Sequence, residues 1–134
     1  MIMMSKLEKR IIKLNVPLKN AIVLGQGAGV LSDIINIFQT VFVFSETPQF
    51  VKARNIVYRT DLTNLHLLTD ISAIFVDRNC VSSLENFYAM CRSNETTIFI
   101  EGTEPVGGGI AASLTSGRYQ VTHQLGSFHV WKRP

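Results

Sequence analysis

The stretch AIVLGQGAGVLSDII, residues Ala21–Ile35, decides the fold because closely spaced glycines join an apolar strand pattern to an apolar helix pattern. Four apolar residues, Ala21–Leu24, come first and are typical of a strand that is buried on both faces. Gly25, Gly27 and Gly29 follow, and then apolar residues recur at helical spacing. The stretch therefore predicts a strand, a tight turn and a helix. The turn serves either the chain itself or a ligand that must approach the backbone closely.

The composition of the 134 residues predicts one globular domain with a substantial core. Hydrophobic residues make up 46% and are dispersed in short runs, so we predict no membrane-spanning helix. The net charge of +3 comes from scattered basic residues, so nucleic acid is not an expected partner. The chain begins MIMMSKLEKR, apolar and then basic, which is the reverse of a secretory signal. We therefore expect a cytoplasmic protein.

Strand patterns and helix patterns alternate along the rest of the chain. An amphipathic helix is predicted over Ser5–Asn15, and the tail predicts a hairpin whose two strands separate at Leu125–Ser127. After the first strand, four more are predicted at Thr40–Phe44, Asn55–Arg59, Ser72–Asp77 and Thr96–Glu101. This order predicts an α/β fold with a Rossmann-like, mainly parallel sheet, helices on both faces and a C-terminal antiparallel hairpin strand.

Helices are predicted between these strands. Pro48 is well placed at the first position of one helix. The segment from Val81 to Cys91 places apolar residues on one helical face, and Ser82 and Glu85 have the spacing of a capping box. We therefore expect that helix to begin near Ser82.

Small and acidic residues fall where the predicted strands end. Ligands of parallel sheets bind beyond the carboxyl ends of the strands, where the strand order reverses. The residues at these ends are Gly25 to Gly29, Ser45, Glu46, Asp61, Asp77 and Glu101. This edge is therefore the predicted functional site.

The spacing of GQGAG is G-x-G-x-G, which differs from the G-x-G-x-x-G of dinucleotide-binding proteins. In this spacing the chain resembles the class I S-adenosylmethionine-dependent methyltransferases. VFVFSETPQFVKARN, from Val41, and DISAIFVDRNCVSSLENF, from Asp70, are similar to strands two and four of that family, each closed by an acid. TTIFIEGTEPVGGGIAAS, from Thr96, is similar to strand five of that family, and the tail that begins at Tyr119 is similar to its terminal hairpin. The resemblance covers roughly Asn20 to Pro134 and is nearest to compact enzymes that act on sugars and other small metabolites.

The resemblance implies S-adenosylmethionine as the cofactor and a single methyltransferase-like domain over residues 1–134, of which residues 1–19 form an N-terminal helix and lead-in. Glycines without Cβ atoms let the amino-acid part and the ribose of the cofactor lie against the chain. Asp61 would accept hydrogen bonds from the adenine amino group, and Asp77 would orient the methyl acceptor or act as the catalytic base. The cofactor-binding residues implied are Gly25, Gln26, Gly27, Gly29, Ser45, Glu46, Asp61 and Asp77.

Several of these residues have a purely structural alternative. Asp61 could be the N-cap of a following helix, and Asp77 could be a loop carboxylate paired with Arg78. Glu101 and Glu104 could join Asp77, and acids at adjacent strand ends could hold a divalent cation. So few ligands are in sight that no metal is predicted.

The first functional interpretation is a methyltransferase that transfers a methyl group from S-adenosylmethionine to oxygen or nitrogen of a small molecule. The alternative is a degenerate, non-catalytic methyltransferase-like domain that acts as an interaction or regulatory subunit. Val23 stands where the family usually carries an acid, and the register from Pro48 places Ser45, rather than Glu46, at the ribose-binding position. A second alternative is another Rossmann-like nucleotide binder. The expected partner is a small-molecule acceptor, no membrane partner is expected, and a homo-oligomer is left open.

Overall fold

Seven strands form one sheet, and their bounds lie close to the apolar segments predicted from the sequence. The structure, a computed structural model, describes residues 5–25, 31–45, 53–102, 106 and 108–133. The strands are β1 (Asn20–Leu24), β2 (Thr40–Phe44), β3 (Ile56–Arg59), β4 (Ile71–Val76), β5 (Thr97–Glu101), β6 (Gln120–Leu125) and β7 (Phe128–Lys132). Most of β1, β2, β4 and β5 is buried, because these strands are covered on both faces and are mainly apolar.

The strand order across the sheet is β3-β2-β1-β4-β5-β7-β6. The first five strands pair in parallel, and β7 pairs antiparallel with both β5 and β6. From β1 the chain adds β2 and then β3 on one side of the sheet. It then returns to place β4 on the other side of β1, and β5 and the hairpin follow on that side. The predicted fold class, a mainly parallel sheet with an antiparallel strand in the C-terminal hairpin, is confirmed.

The helices lie on both faces of this sheet. On one face, α1 (Lys6–Asn15) begins at Ser5, whose hydroxyl accepts from the Glu8 N–H at 3.1 Å, and α2 (Leu31–Ile34) follows the glycine segment. On the other face lie a 3₁₀ helix (Arg78–Phe87), α3 (Tyr88–Asn94) and α4 (Gly108–Ser116). A short 3₁₀ turn (Leu65–Leu67) follows β3. No helix in the described ranges is long and apolar enough to cross a bilayer.

The helical segment after β4 differs from its prediction. It begins at Arg78 instead of near Ser82, and Asp77 is the residue that precedes it. The prediction of a capping box at Ser82 was wrong because the chain turns directly at the strand end, where the Cys80 N–H donates to the Asp77 carbonyl at 2.8 Å. The helix predicted to begin at Pro48 lies outside the described residues.

Each face of the sheet has its own hydrophobic core. On the α1 face, the ring of Phe75 stacks on Phe99 with centroids 4.5 Å apart, and Phe128 meets both rings edge-on. On the α3 face, Phe87 and Trp131 belong to a second buried cluster. The sheet is thus held from both sides, which gives its carboxyl-end edge a rigid base.

Candidate functional site

A cleft of about 590 Å³ opens at the carboxyl-end edge of the sheet. It lies where the strand order reverses between β1 and β4, the place at which open α/β sheets bind ligands. Its lining includes Leu24, Gly25, Phe44, Ser45, Arg59 and Asp77. Three of the residues predicted from the sequence, Gly25, Ser45 and Asp77, therefore line one cleft.

A second cleft, of about 680 Å³, lies at the opposite edge, where the parallel strands begin. Its lining mixes both signs of charge, since Lys19 and Arg118 share it with Asp70 and Glu95. None of the predicted site residues that the structure describes lies in its wall. The position of the smaller cleft at the carboxyl ends makes it the better candidate despite its size.

Gly25 forms the sharp turn that ends β1. Its φ is +84°, its N–H donates to the Phe44 carbonyl at 2.9 Å, and the neighbouring Leu24 carbonyl accepts from the Asp77 N–H at 3.1 Å. A Cβ atom at position 25 would lie 2.6 Å from Cys80 Sγ and 2.9 Å from Asp77 Cβ. This glycine is therefore required by the packing of the chain itself. Gln26, Gly27 and Gly29, the other predicted residues of this loop, lie outside the described residues.

At the end of β2, Ser45 is half-buried and faces the cleft. Glu46, the other predicted ribose contact, lies outside the described residues. Val23, at the position where the resembling family usually carries an acid, is fully buried in the core of the α1 face.

Asp61 follows β3, but its carboxylate is used within its own turn. Oδ1 accepts from the Thr63 hydroxyl at 2.8 Å and from the Thr63 N–H at 3.2 Å, and Arg59 Nη2 lies 3.3 Å away. The two bonds from Thr63 and the Arg59 guanidinium lower the pKa of Asp61 below its usual value. The following 3₁₀ turn has Asn64 as its N-cap, so the alternative of Asp61 as a helix cap was wrong. The residue caps a turn instead, and its role toward adenine stays a prediction.

Arg59 is a cleft residue that the sequence reasoning missed. Its guanidinium lies 5.3 Å from the ring centroid of Phe44 and also donates to the Thr63 carbonyl. The ring of Phe44 in turn meets Phe87 edge-on at 5.3 Å. This arrangement gives the β2–β3 side of the cleft an aromatic wall and a fixed cation. The available signal was a basic residue at the last position of a predicted strand.

Asp77 and Glu101 stand at neighbouring strand ends. Phe75 pairs with Phe99 and Val76 with Ile100, so Asp77, the residue after β4, comes next to Glu101, the last residue of β5. Burial raises the pKa of Glu101, and the charge of Asp77 raises it further, against the opposing effect of a hydrogen bond from the Arg78 N–H.

The described residues around this pair do not form a metal-binding group. Glu104 lies outside the described residues. Within the described ranges, no three His, Cys, Asp or Glu side chains lie together as a metal-binding group.

Comparison with known proteins supports the fold. No protein-family model matches the sequence, and no curated protein matches it significantly. A solved structure from Anaeromyxobacter dehalogenans, named a "putative type II methyltransferase", superposes with a TM-score of 0.53 at 15% identity. The match covers 84% of this chain and 54% of the neighbour, so the chain spans about half the length of that protein. The fold is methyltransferase-like.

Proposed function

We propose that the chain binds S-adenosylmethionine in the carboxyl-end cleft and transfers its methyl group to oxygen or nitrogen of a small molecule. The observation that carries the proposal is the convergence of Gly25, Ser45 and Asp77 on one cleft at the switch point of a methyltransferase-like sheet. A volume of about 590 Å³ is within the usual range for small-molecule sites.

The lining of the cleft fits such a ligand. Leu62 supplies exposed apolar surface for a purine ring, and Ser45 supplies a hydroxyl at the strand end where the resembling family holds ribose. Asp77 is the carboxylate that the described residues contribute to the cleft wall. Polar groups placed among apolar surface are the usual means of orienting a bound small molecule.

When bound, S-adenosylmethionine supplies an electrophilic methyl group on a sulfonium. The chain has to hold the methyl acceptor in line with that group, and alignment of this kind can account for much of the rate. Asp77 would accept the proton of an acceptor hydroxyl or amine, which is needed only when the acceptor is protonated at neutral pH.

The second candidate is a methyltransferase-like domain without catalytic activity. Two observations favour it: the core residue Val23 at the position of the missing acid, and the space beside Gly25 that Asp77 and Cys80 already fill. Such a domain would bind the cofactor weakly, or not at all, and act as an interaction or regulatory subunit. A further alternative, a nucleotide binder with another cofactor, rests on the general use of this sheet edge.

Calorimetric titration of the chain with S-adenosylmethionine, its demethylated product and NAD separates the first two candidates from the other nucleotide binder, and turnover of a candidate acceptor then separates the first from the second. Binding of the first two compounds, with none of NAD, supports the proposal, and binding of NAD alone would contradict it. Glu46→Gln is expected to weaken cofactor binding by roughly ten- to a hundredfold, the cost of one charge-assisted hydrogen bond.

Asp77→Asn should leave affinity within a few-fold while turnover of a candidate acceptor falls. Equal, small effects of Glu46→Gln and Asp77→Asn on affinity and rate would favour the non-catalytic domain instead.

A further inference from the structure

Leu62, in the turn that follows β3, is an exposed apolar side chain of the carboxyl-end cleft. It is 46% exposed and belongs to the lining of that cleft. The lining contains none of the other large hydrophobic side chains that are exposed in the described ranges, which are Leu7, Val57, Tyr58, Leu67 and Val121. Apolar surface left in water is unfavourable, and a ligand that covers it gains free energy. Leu62 is therefore suited to contact an apolar group of a ligand.

The two neighbours of Leu62 fix the backbone of this turn. Asp61 Oδ1 accepts from the Thr63 hydroxyl at 2.8 Å and from the Thr63 N–H at 3.2 Å. These two bonds span Leu62, so the main chain is held on both sides of it. Thr63 is itself exposed and is not part of the cleft lining. Any effect of Thr63 on a ligand therefore passes through the turn.

Arg59 joins the turn to the core behind it. Its Nη2 lies 3.3 Å from Asp61 Oδ1 and donates to the Thr63 carbonyl, so one guanidinium holds both ends of the turn. The same guanidinium lies 5.3 Å from the ring centroid of the buried Phe44. A fully exposed ion pair would add little, but the Arg59 side chain is 20% exposed, so solvent weakens its contacts less. The turn is thus anchored to a buried ring by a cation that is largely shielded from water.

We infer that Arg59 is a positioning residue: it holds the turn Asp61–Thr63 against Phe44 and so keeps Leu62 in place as one wall for the purine ring of a bound nucleoside. The inference rests on the proposed function and names the residue that preforms this wall. A wall that is ordered before binding spares the ligand the cost of ordering it. Without the Arg59 contacts, the need to fix the turn would offset part of the free energy of binding.

A purely structural role for Arg59 would have a different consequence. If Arg59 only stabilised the end of β3, its effect on ligand affinity would not depend on the side chain at position 62. If Arg59 acts through Leu62, its loss lowers the affinity only while Leu62 is present. The effects of replacing Arg59 and Leu62 are then not additive.

The test is a double-mutant cycle in which calorimetry measures binding of the demethylated product of S-adenosylmethionine to the full chain. Arg59→Met keeps an unbranched side chain and removes the donors, and we expect it and Leu62→Ala each to weaken binding by about tenfold. The double variant should also bind about tenfold more weakly than the wild type, whereas an additive loss of about a hundredfold would overturn the inference. Arg118→Met, which changes an exposed arginine of the opposite cleft, should leave the affinity unchanged.

Thr63 provides a variant outside the cleft lining. Thr63→Val removes the hydroxyl that donates to Asp61 and keeps the shape of the side chain. The fold should tolerate this change because Thr63 is exposed. The affinity should fall by about two- to tenfold and recover in Thr63→Ser, which restores the hydroxyl. Equal affinities of Thr63→Val and the wild type would contradict the inference, even if Arg59→Met does not fold.

A measurement without ligand separates this inference from the proposed function. The Thr63 N–H donates to Asp61, so its exchange with solvent, followed by NMR, reports whether the turn is closed. The exchange should be several-fold faster in Arg59→Met and unchanged in Arg118→Met. Unchanged exchange in Arg59→Met would overturn the inference. If the wild-type chain bound neither S-adenosylmethionine nor its demethylated product, the proposed function would fail instead, and the exchange rate would still decide whether Arg59 closes the turn.

Discussion

Replacing Gly25 by alanine should destabilise the protein through two separable effects. The first is the left-handed backbone at φ +84°, which costs a residue with a Cβ atom about 1–2 kcal/mol. The second is crowding, because the new Cβ would lie 2.6 Å from Cys80 Sγ and 2.9 Å from Asp77 Cβ. Inserting a methyl group into such a packed place typically costs about 1–3 kcal/mol more.

Gly108 provides the matched control. Its φ is +63°, so an alanine there meets a similar backbone penalty, but nothing lies within 4 Å of the place where its Cβ would stand. The gain from a less flexible unfolded chain is the same for both substitutions. Gly25→Ala should therefore be less stable than Gly108→Ala by the crowding cost, about 1–3 kcal/mol.

The assay is urea unfolding followed by the fluorescence of the single tryptophan, the buried Trp131. The free energies of unfolding are compared between variants that show the same slope of free energy against urea concentration. A changed slope would indicate a changed unfolded state. Adding Cys80→Ala to Gly25→Ala should recover part of the loss, because it removes the nearest atom. Equal stabilities of Gly25→Ala and Gly108→Ala would refute the reasoning that the strand-end turn has no room for a side chain.

Three further predictions concern stability. Tyr119→Phe should cost about 1–2 kcal/mol in urea unfolding, because the buried hydroxyl donates to the Thr96 carbonyl at 2.6 Å; an unchanged midpoint would contradict this. Lys9→Met should cost about 1–2 kcal/mol, because it removes the cation 3.0 Å from the buried Asp33. A cost that falls with added salt as steeply as that of a fully exposed ion pair would argue against this prediction. Since burial and Asp77 raise the pKa of Glu101 above 4.5, the folded protein binds this proton more tightly than the unfolded chain does. Stability is then lost as pH rises from 4.5 through the raised pKa, and Glu101→Gln should not show that loss in unfolding measured across pH.

Much of the fold could be predicted because it depends on local pattern. The apolar run before Gly25 and the strand Thr40–Phe44 are legible from short-range composition, and so is the hairpin around Gly126. The start of the helix after β4 could not be predicted in the same way. Two start signals compete there, a capping-box spacing at Ser82 and the strand end itself, and the tertiary hydrogen bond from the Asp77 N–H to Leu24 decides between them.

The site could be predicted only to the level of the sheet edge. The rule that parallel strands present their carboxyl ends together is enough to gather Ser45 and Asp77 from the sequence. It does not say which way a side chain turns after its strand ends. Asp61 bonds its own turn, whereas Arg59, unremarkable in the sequence, reaches the ring of Phe44 in the cleft.

The sequence by itself determined the alternation of strands and helices, the glycine turn and the edge at which a ligand would bind, because each depends on residues close together in the chain. Only the tertiary structure decided how the end of β5 is held, with the Arg78 nitrogen 3.4 Å from Glu101 Oε1 and the Gly102 carbonyl bonded to His129. Arg78 begins the 3₁₀ helix after β4 and Glu101 ends β5, so their contact depends on how the two neighbouring strands are aligned. A shift of one residue in the strand register would separate Arg78 from Glu101, so no local pattern could specify this contact.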